Sequence, residues 1–130
     1  MKTSVTKIVA ATVFGAGLLL GSTTWAGQVS HPQVSVFANS SAQGSMYGAR
    51  RSADTTQYIG CTLNAGPSGA NVGCSARNSA GTYIACNSTN AYHREAVTAM
   101  TAYSWLYFTI NATTGECRNV VVRNDSMHLP

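Results

Sequence analysis

The sequence predicts an α+β domain, a mainly antiparallel β meander of about six strands in paired hairpins, with one helix before the last hairpin and two disulfides. Three observations carry this. Short runs rich in Val, Ile, Tyr and Thr are separated by clusters of Gly, Asn, Ser and Pro, the punctuation of hairpins. A single stretch, around residue 95, has apolar residues at helical spacing. Cys61, Cys74, Cys86 and Cys117 form an even set in a chain that opens like an exported one.

Residues 1–7 carry Lys2 and Lys7 and no acid, residues 8–20 are uncharged and mostly apolar, and residues 21–26 are small and polar around Trp25. That is the order of a secretory signal peptide, with Thr24 and Ala26 as the small residues before a cut after Ala26. The apolar run is shorter than the roughly 20 residues that a membrane span needs. No cysteine follows it to accept a lipid. A secreted or periplasmic product with no retained membrane span is therefore expected. Residues 27–43, rich in Ser, Asn and Gln, read as a mobile N-terminal arm with at most a weak edge strand, and residues 44–130 as a single disulfide-bridged domain.

Within that domain the chain repeats itself. Ala49, Arg50, Arg51, Ser52, Ala53 and Asp54 lead to Tyr58 and Cys61, and Ala76, Arg77, Asn78, Ser79, Ala80 and Gly81 lead to Tyr83 and Cys86. The second copy predicts a hairpin whose three-residue loop, Ser79, Ala80 and Gly81, places Gly81 in the left-handed position and Cys74 opposite Cys86. By analogy the first copy predicts a hairpin around residues 52–55, joined to the second by a Gly/Pro/Asn-rich loop at 64–71. A capping stretch at 87–90 precedes Tyr92, Ala96, Ala99, Met100 and Tyr103 on one helical face. Residues 105–110 and 117–123 read as the last hairpin. With Cys74 bonded to Cys86, Cys61 is left for Cys117.

Loss of the signal would remove both lysines and leave six arginines against Asp54, Glu95, Glu116 and Asp125, a net charge of +2. So small a charge argues against nucleic acid as the partner. The cysteines are separated by 13, 12 and 31 residues, with no C-x-x-C pair and no clustered histidines, so neither a metal site nor a cofactor is expected.

His93, Arg94 and Glu95 have the residue types of a ribonuclease-like acid, base and phosphate clamp. On a helix, however, residues two apart are rotated by about 200°, so His93 and Glu95 point to opposite sides and no catalytic residue is assigned. No G-x-S-x-G motif occurs, and His31 and His128 fall in the expected mobile ends. The sharpest candidate is a binding face of Arg50, Arg51 and Arg77 at the hairpin tips with Tyr58 and Tyr83 on the return strands. Guanidinium forks hold anions, and tyrosines offer flat amphipathic contact. The expected activity is that of a small exported binding module, either an inhibitor of an extracellular or periplasmic enzyme or a glycan or envelope binder. Its partner would be an extracellular protein or an anionic glycan. The alternatives are a small secreted hydrolase, ribonuclease-like, and a self-assembling surface component.

Overall fold

The computed structural model describes residues 27–130, so the expected signal peptide lies outside the described residues. Seven strands form two antiparallel sheets. One has the order β1 (Ser35–Phe37), β2 (Ser41–Ser45), β6 (Trp105–Ile110) and β7 (Cys117–Arg123). The other is a meander of β3 (Tyr58–Gly66), β4 (Gly69–Arg77) and β5 (Tyr83–Ser88). The mainly antiparallel α+β class and the two disulfides are as the sequence predicts.

Alternation builds the core. In β6 every second residue is buried (Leu106, Phe108 and Ile110), and in β4 the buried set is Val72, Cys74 and Ala76. These inward faces, with Ile59, Ile84 and Cys86, form one hydrophobic cluster. Helix α2 (Ala91–Thr98) packs against β3, β4 and β7 through buried Val97. Asn90 caps it, its Oδ1 accepting from Tyr92 N at 2.8 Å. The helix is shorter than its periodicity suggests, and its inward face is displaced: Tyr92 is 79% exposed while His93 and Arg94 are half-buried, though Met100, just past its end, packs against the core as expected.

The β4–β5 hairpin has the expected register, with Cys74 opposite Cys86, Arg77 opposite Tyr83 and Gly81 at φ 84°. Asn78 closes it, exchanging backbone hydrogen bonds with Thr82 and Gly81 and accepting from Thr82 N through Oδ1. The disulfides differ from expectation: Cys61 is bonded to Cys74, and Cys86 to Cys117. Cys74 sits on the middle strand, facing Cys61 on one side and Cys86 on the other. A residue in an antiparallel strand directs both its backbone groups to one neighbour, so it forms a wide hydrogen-bonded pair there and a close non-hydrogen-bonded pair with the other neighbour. The Cα–Cα distance of 4.0 Å marks Cys61–Cys74 as the close pair. Cys86 is thereby left to Cys117.

The expected first hairpin is absent. Its place is taken by the short helix α1 (Met46–Arg50) and a loop held by Asp54, and β3 pairs instead with β4 around a two-residue turn, Pro67 and Ser68. Nor is the segment 27–43 a free arm. Strands β1 and β2 fall largely within it, and β2 lies beside β6 in the interior of its sheet. Its residues, SAQGS, give little apolar signal because, Ala42 apart, burial here is backbone against backbone. A Cβ on Gly44 would meet Val34 Cα at 3.0 Å, and one on Gly48 would meet the His31 carbonyl oxygen at 2.6 Å. Ser45, fully buried, donates its N–H to Pro32 O and caps α1 by accepting from Gly48 N.

Candidate functional site

The outward face of the β3–β4–β5 sheet carries Tyr58, Arg77 and Tyr83 directly opposite one another on adjacent strands. The Arg77 guanidinium lies 5.9 Å from the Tyr58 ring centroid and 5.6 Å from that of Tyr83. It is thus held between two rings that stabilise it by cation–π attraction. The rings remain open, Tyr58 at 40% and Tyr83 at 52% exposure. Among the described residues no carboxylate pairs with Arg77. The next rows on this face are Gly60, Ser75 and Ala85, then Thr62, Gly73 and Asn87. A Cβ at Gly60 would meet nothing within 4 Å. The face is therefore flat beyond the tyrosine–arginine row.

The two remaining arginines separate. Arg50 lines a pocket of about 280 Å³ with Tyr58, Asp54 and Gln57, beside the row. Arg51 turns away: its guanidinium lies 5.6 Å from the Tyr47 ring centroid and donates to Tyr47 Oη, and Tyr47 packs in turn against His31 and Tyr103.

Asp54 organises the wall of that pocket. Its carboxylate accepts from the Gln57 side-chain amide and from the backbone N–H groups of Gln57 and Thr56. These hydrogen bonds, the Gln57 side chain first, bring its pKa down from 3.8 to about 2. Gln57 Oε1 accepts from Val34 N at 2.9 Å, which ties the loop to the N-terminal segment. Because the folded pKa lies below the unfolded one, the stabilisation is complete above about pH 4 and lost as pH falls towards about pH 2. Thermal melts should show the native protein above Asp54→Asn near neutral pH, the gap closing across that acid window. A gap independent of pH would assign the effect to something other than the carboxylate.

Two arrangements escape the sequence reading. On the outward face of the other sheet, Arg123 lies 4.9 Å from the Trp105 ring centroid, and Trp105 stacks on Tyr107. This arginine has an internal partner in Asp125, which also bonds His128; His128 is buried, not in a mobile end. The second arrangement is a pocket of about 260 Å³ that brings His93 together with Glu116 and Arg118. Of the expected helical trio, Arg94 donates to Ala70 O across to β4, and Glu95 is exposed. Alternation could have paired Glu116 with Arg118, but nothing local points from either to His93.

Among the described residues no cluster of His, Cys, Asp and Glu has the makings of a metal site, and no helix is long and apolar enough to cross a membrane. No protein-family model, no curated protein and no solved structure matches the chain.

Proposed function

We propose that this chain is an exported binding module that takes an anionic glycan on the outward face of the β3–β4–β5 sheet. The observation that carries the reading is Arg77, fixed between two exposed tyrosines with no carboxylate of its own among the described residues. The rings engage the cation through their π faces, which leaves the N–H donors of the guanidinium for a carboxylate or sulfate. A fork already held in place loses little further freedom on binding. The flat rows beyond it suit an extended polysaccharide, with the tyrosines as sugar-stacking surfaces. Arg50 adds a second positive charge beside Tyr58. Two disulfides are compatible with the oxidising compartment in which such a ligand is met.

Affinity electrophoresis through polygalacturonate, dextran sulfate and uncharged dextran tests this. The anionic gels should retard the protein, less so as salt is raised, and the neutral gel should not. A charge-assisted hydrogen bond is worth roughly 1.5–3 kcal/mol, so Arg77→Ala should weaken retardation at least about tenfold, whereas Arg51→Ala, whose guanidinium is taken up by Tyr47, should change little. Equal retardation of the native protein and Arg77→Ala, or none by either anionic polymer, would overturn the proposal.

A further inference from the structure

The end of β5 and the start of β7 are fastened together twice, by a disulfide and by a backbone bridge. Cys86 is bonded to Cys117, and Asn87 pairs with Glu116 in a parallel bridge that includes the hydrogen bond from Asn87 N to Gly115 O at 3.1 Å. From β5 the chain passes through Ser88 to the Asn90 cap and into α2, placing His93 in the first turn. Glu116 and Arg118 flank buried Cys117. Two residues apart in extended chain, they project to the same side, as His93 and Glu95 on a helix do not. The result is one pocket of about 260 Å³ lined by Ser88, Asn90, His93, Glu116 and Arg118.

The polar atoms of the pocket are arranged asymmetrically. Ser88 Oγ accepts from Asn90 N at 3.0 Å and lies 2.8 Å from His93 Nδ1, so the imidazole is held by that nitrogen and Nε2 is left for a ligand. Glu116 accepts from Thr114 Oγ1 through one oxygen, Oε2. Among the described residues Arg118 has no carboxylate partner within ion-pair distance. A proton acceptor, a proton donor and an anion clamp thus share one opening, assembled from two distant parts of the chain.

We propose that this pocket is an acid–base site that cleaves short oligoribonucleotides by transesterification. Arg118 holds the phosphodiester by its non-bridging oxygens. Glu116 takes the proton of the ribose 2′-hydroxyl as O2′ forms its bond to phosphorus. His93, protonated, gives its Nε2 proton to O5′ as the P–O5′ bond breaks. The products are a 2′,3′-cyclic phosphate and a 5′-hydroxyl, and no further reactant is consumed. The attacking hydroxyl comes from the substrate, because the Ser88 hydroxyl is engaged in orienting the histidine. The pocket, of about 260 Å³, has room for little beyond the scissile phosphodiester, which is why the substrate is short.

Incubation of the oxidised protein with uridylyl-3′,5′-adenosine, and with its 2′-deoxy counterpart, decides the matter by chromatography of the products. The ribose substrate should yield the 2′,3′-cyclic phosphate, and the deoxy substrate should remain intact. General acid–base groups contribute roughly 10²–10⁴-fold, so His93→Ala and Glu116→Gln should each lose at least about a hundredfold. Glu116 is exposed, so its variant tests the chemistry without disturbing the core. Glu95→Gln, at an exposed position of α2 outside the pocket, should cleave at the native rate, which separates the pocket from the helix that carries it. Absence of cyclic phosphate from the native protein, cleavage of the deoxy substrate, or undiminished cleavage by Glu116→Gln would overturn the proposal.

Discussion

Truncation of Phe108 to alanine is expected to cost about 3–5 kcal/mol of folding stability. Phe108 is fully buried in the middle of β6, opposite Ala42 of β2 on one side and Val120 of β7 on the other. Its small neighbour Ala42 has nothing with which to fill the space left behind, and a cavity that cannot collapse adds its own cost to the lost transfer free energy. The whole stability of such a domain is about 5–15 kcal/mol, so the variant sits near the threshold of folding. Urea unfolding of the oxidised protein measures the loss as a fall in midpoint at constant slope. A loss below about 1 kcal/mol would mean that the two sheets do not close over this ring, contrary to the shared core described above.

Replacing both Cys86 and Cys117 by serine should cost about 4 kcal/mol, against about 3 kcal/mol for Cys61 and Cys74. The estimate follows from the entropy of closing loops of 31 and 13 residues in the unfolded chain. The ordering of the pairs has a structural side as well. Cys61–Cys74 joins adjacent strands that already exchange a long hydrogen-bond ladder, whereas Cys86–Cys117 links the two sheets at a point where only one isolated bridge accompanies it. Loss of the inter-sheet bridge should therefore also loosen the junction that holds Glu116 and Arg118 near His93. Parallel denaturation of the two double-serine proteins checks the order. A larger loss for the Cys61 and Cys74 pair would show that the unfolded-chain argument is outweighed by strain or by residual structure.

Wherever the deciding interactions are local, the sequence was a reliable guide. Asn78 and Gly81 have the turn chemistry that defines the β4–β5 register, and from that register it follows that Arg77 stands opposite Tyr83. Asn90 announces the start of α2 in the same way. The even cysteine set likewise announces two bridges. The likeness between residues 49–61 and 76–86, by contrast, misled: similar residues form a hairpin in one copy, and a helix and an Asp54-centred loop in the other, because Asp54 collects hydrogen bonds that Gly81 cannot.

Everything that depends on which strand lies next to which is settled by the folding of the whole chain. Tyr58 joins Arg77 because β3 pairs with β4, not with the chain before it. Cys74 has a cysteine on either side, and only the alternation of close and wide pairs along the sheet selects Cys61. Strand β2 is buried through glycine and serine pressed against the N-terminal segment, a burial with little apolar pattern to reveal it. His93, Glu116 and Arg118 meet because a disulfide and a bridge draw β5 to β7. Periodicity and turn chemistry report on a residue's own neighbourhood along the chain; the approach of distant segments is governed by packing and pairing, to which every residue of the core contributes at once.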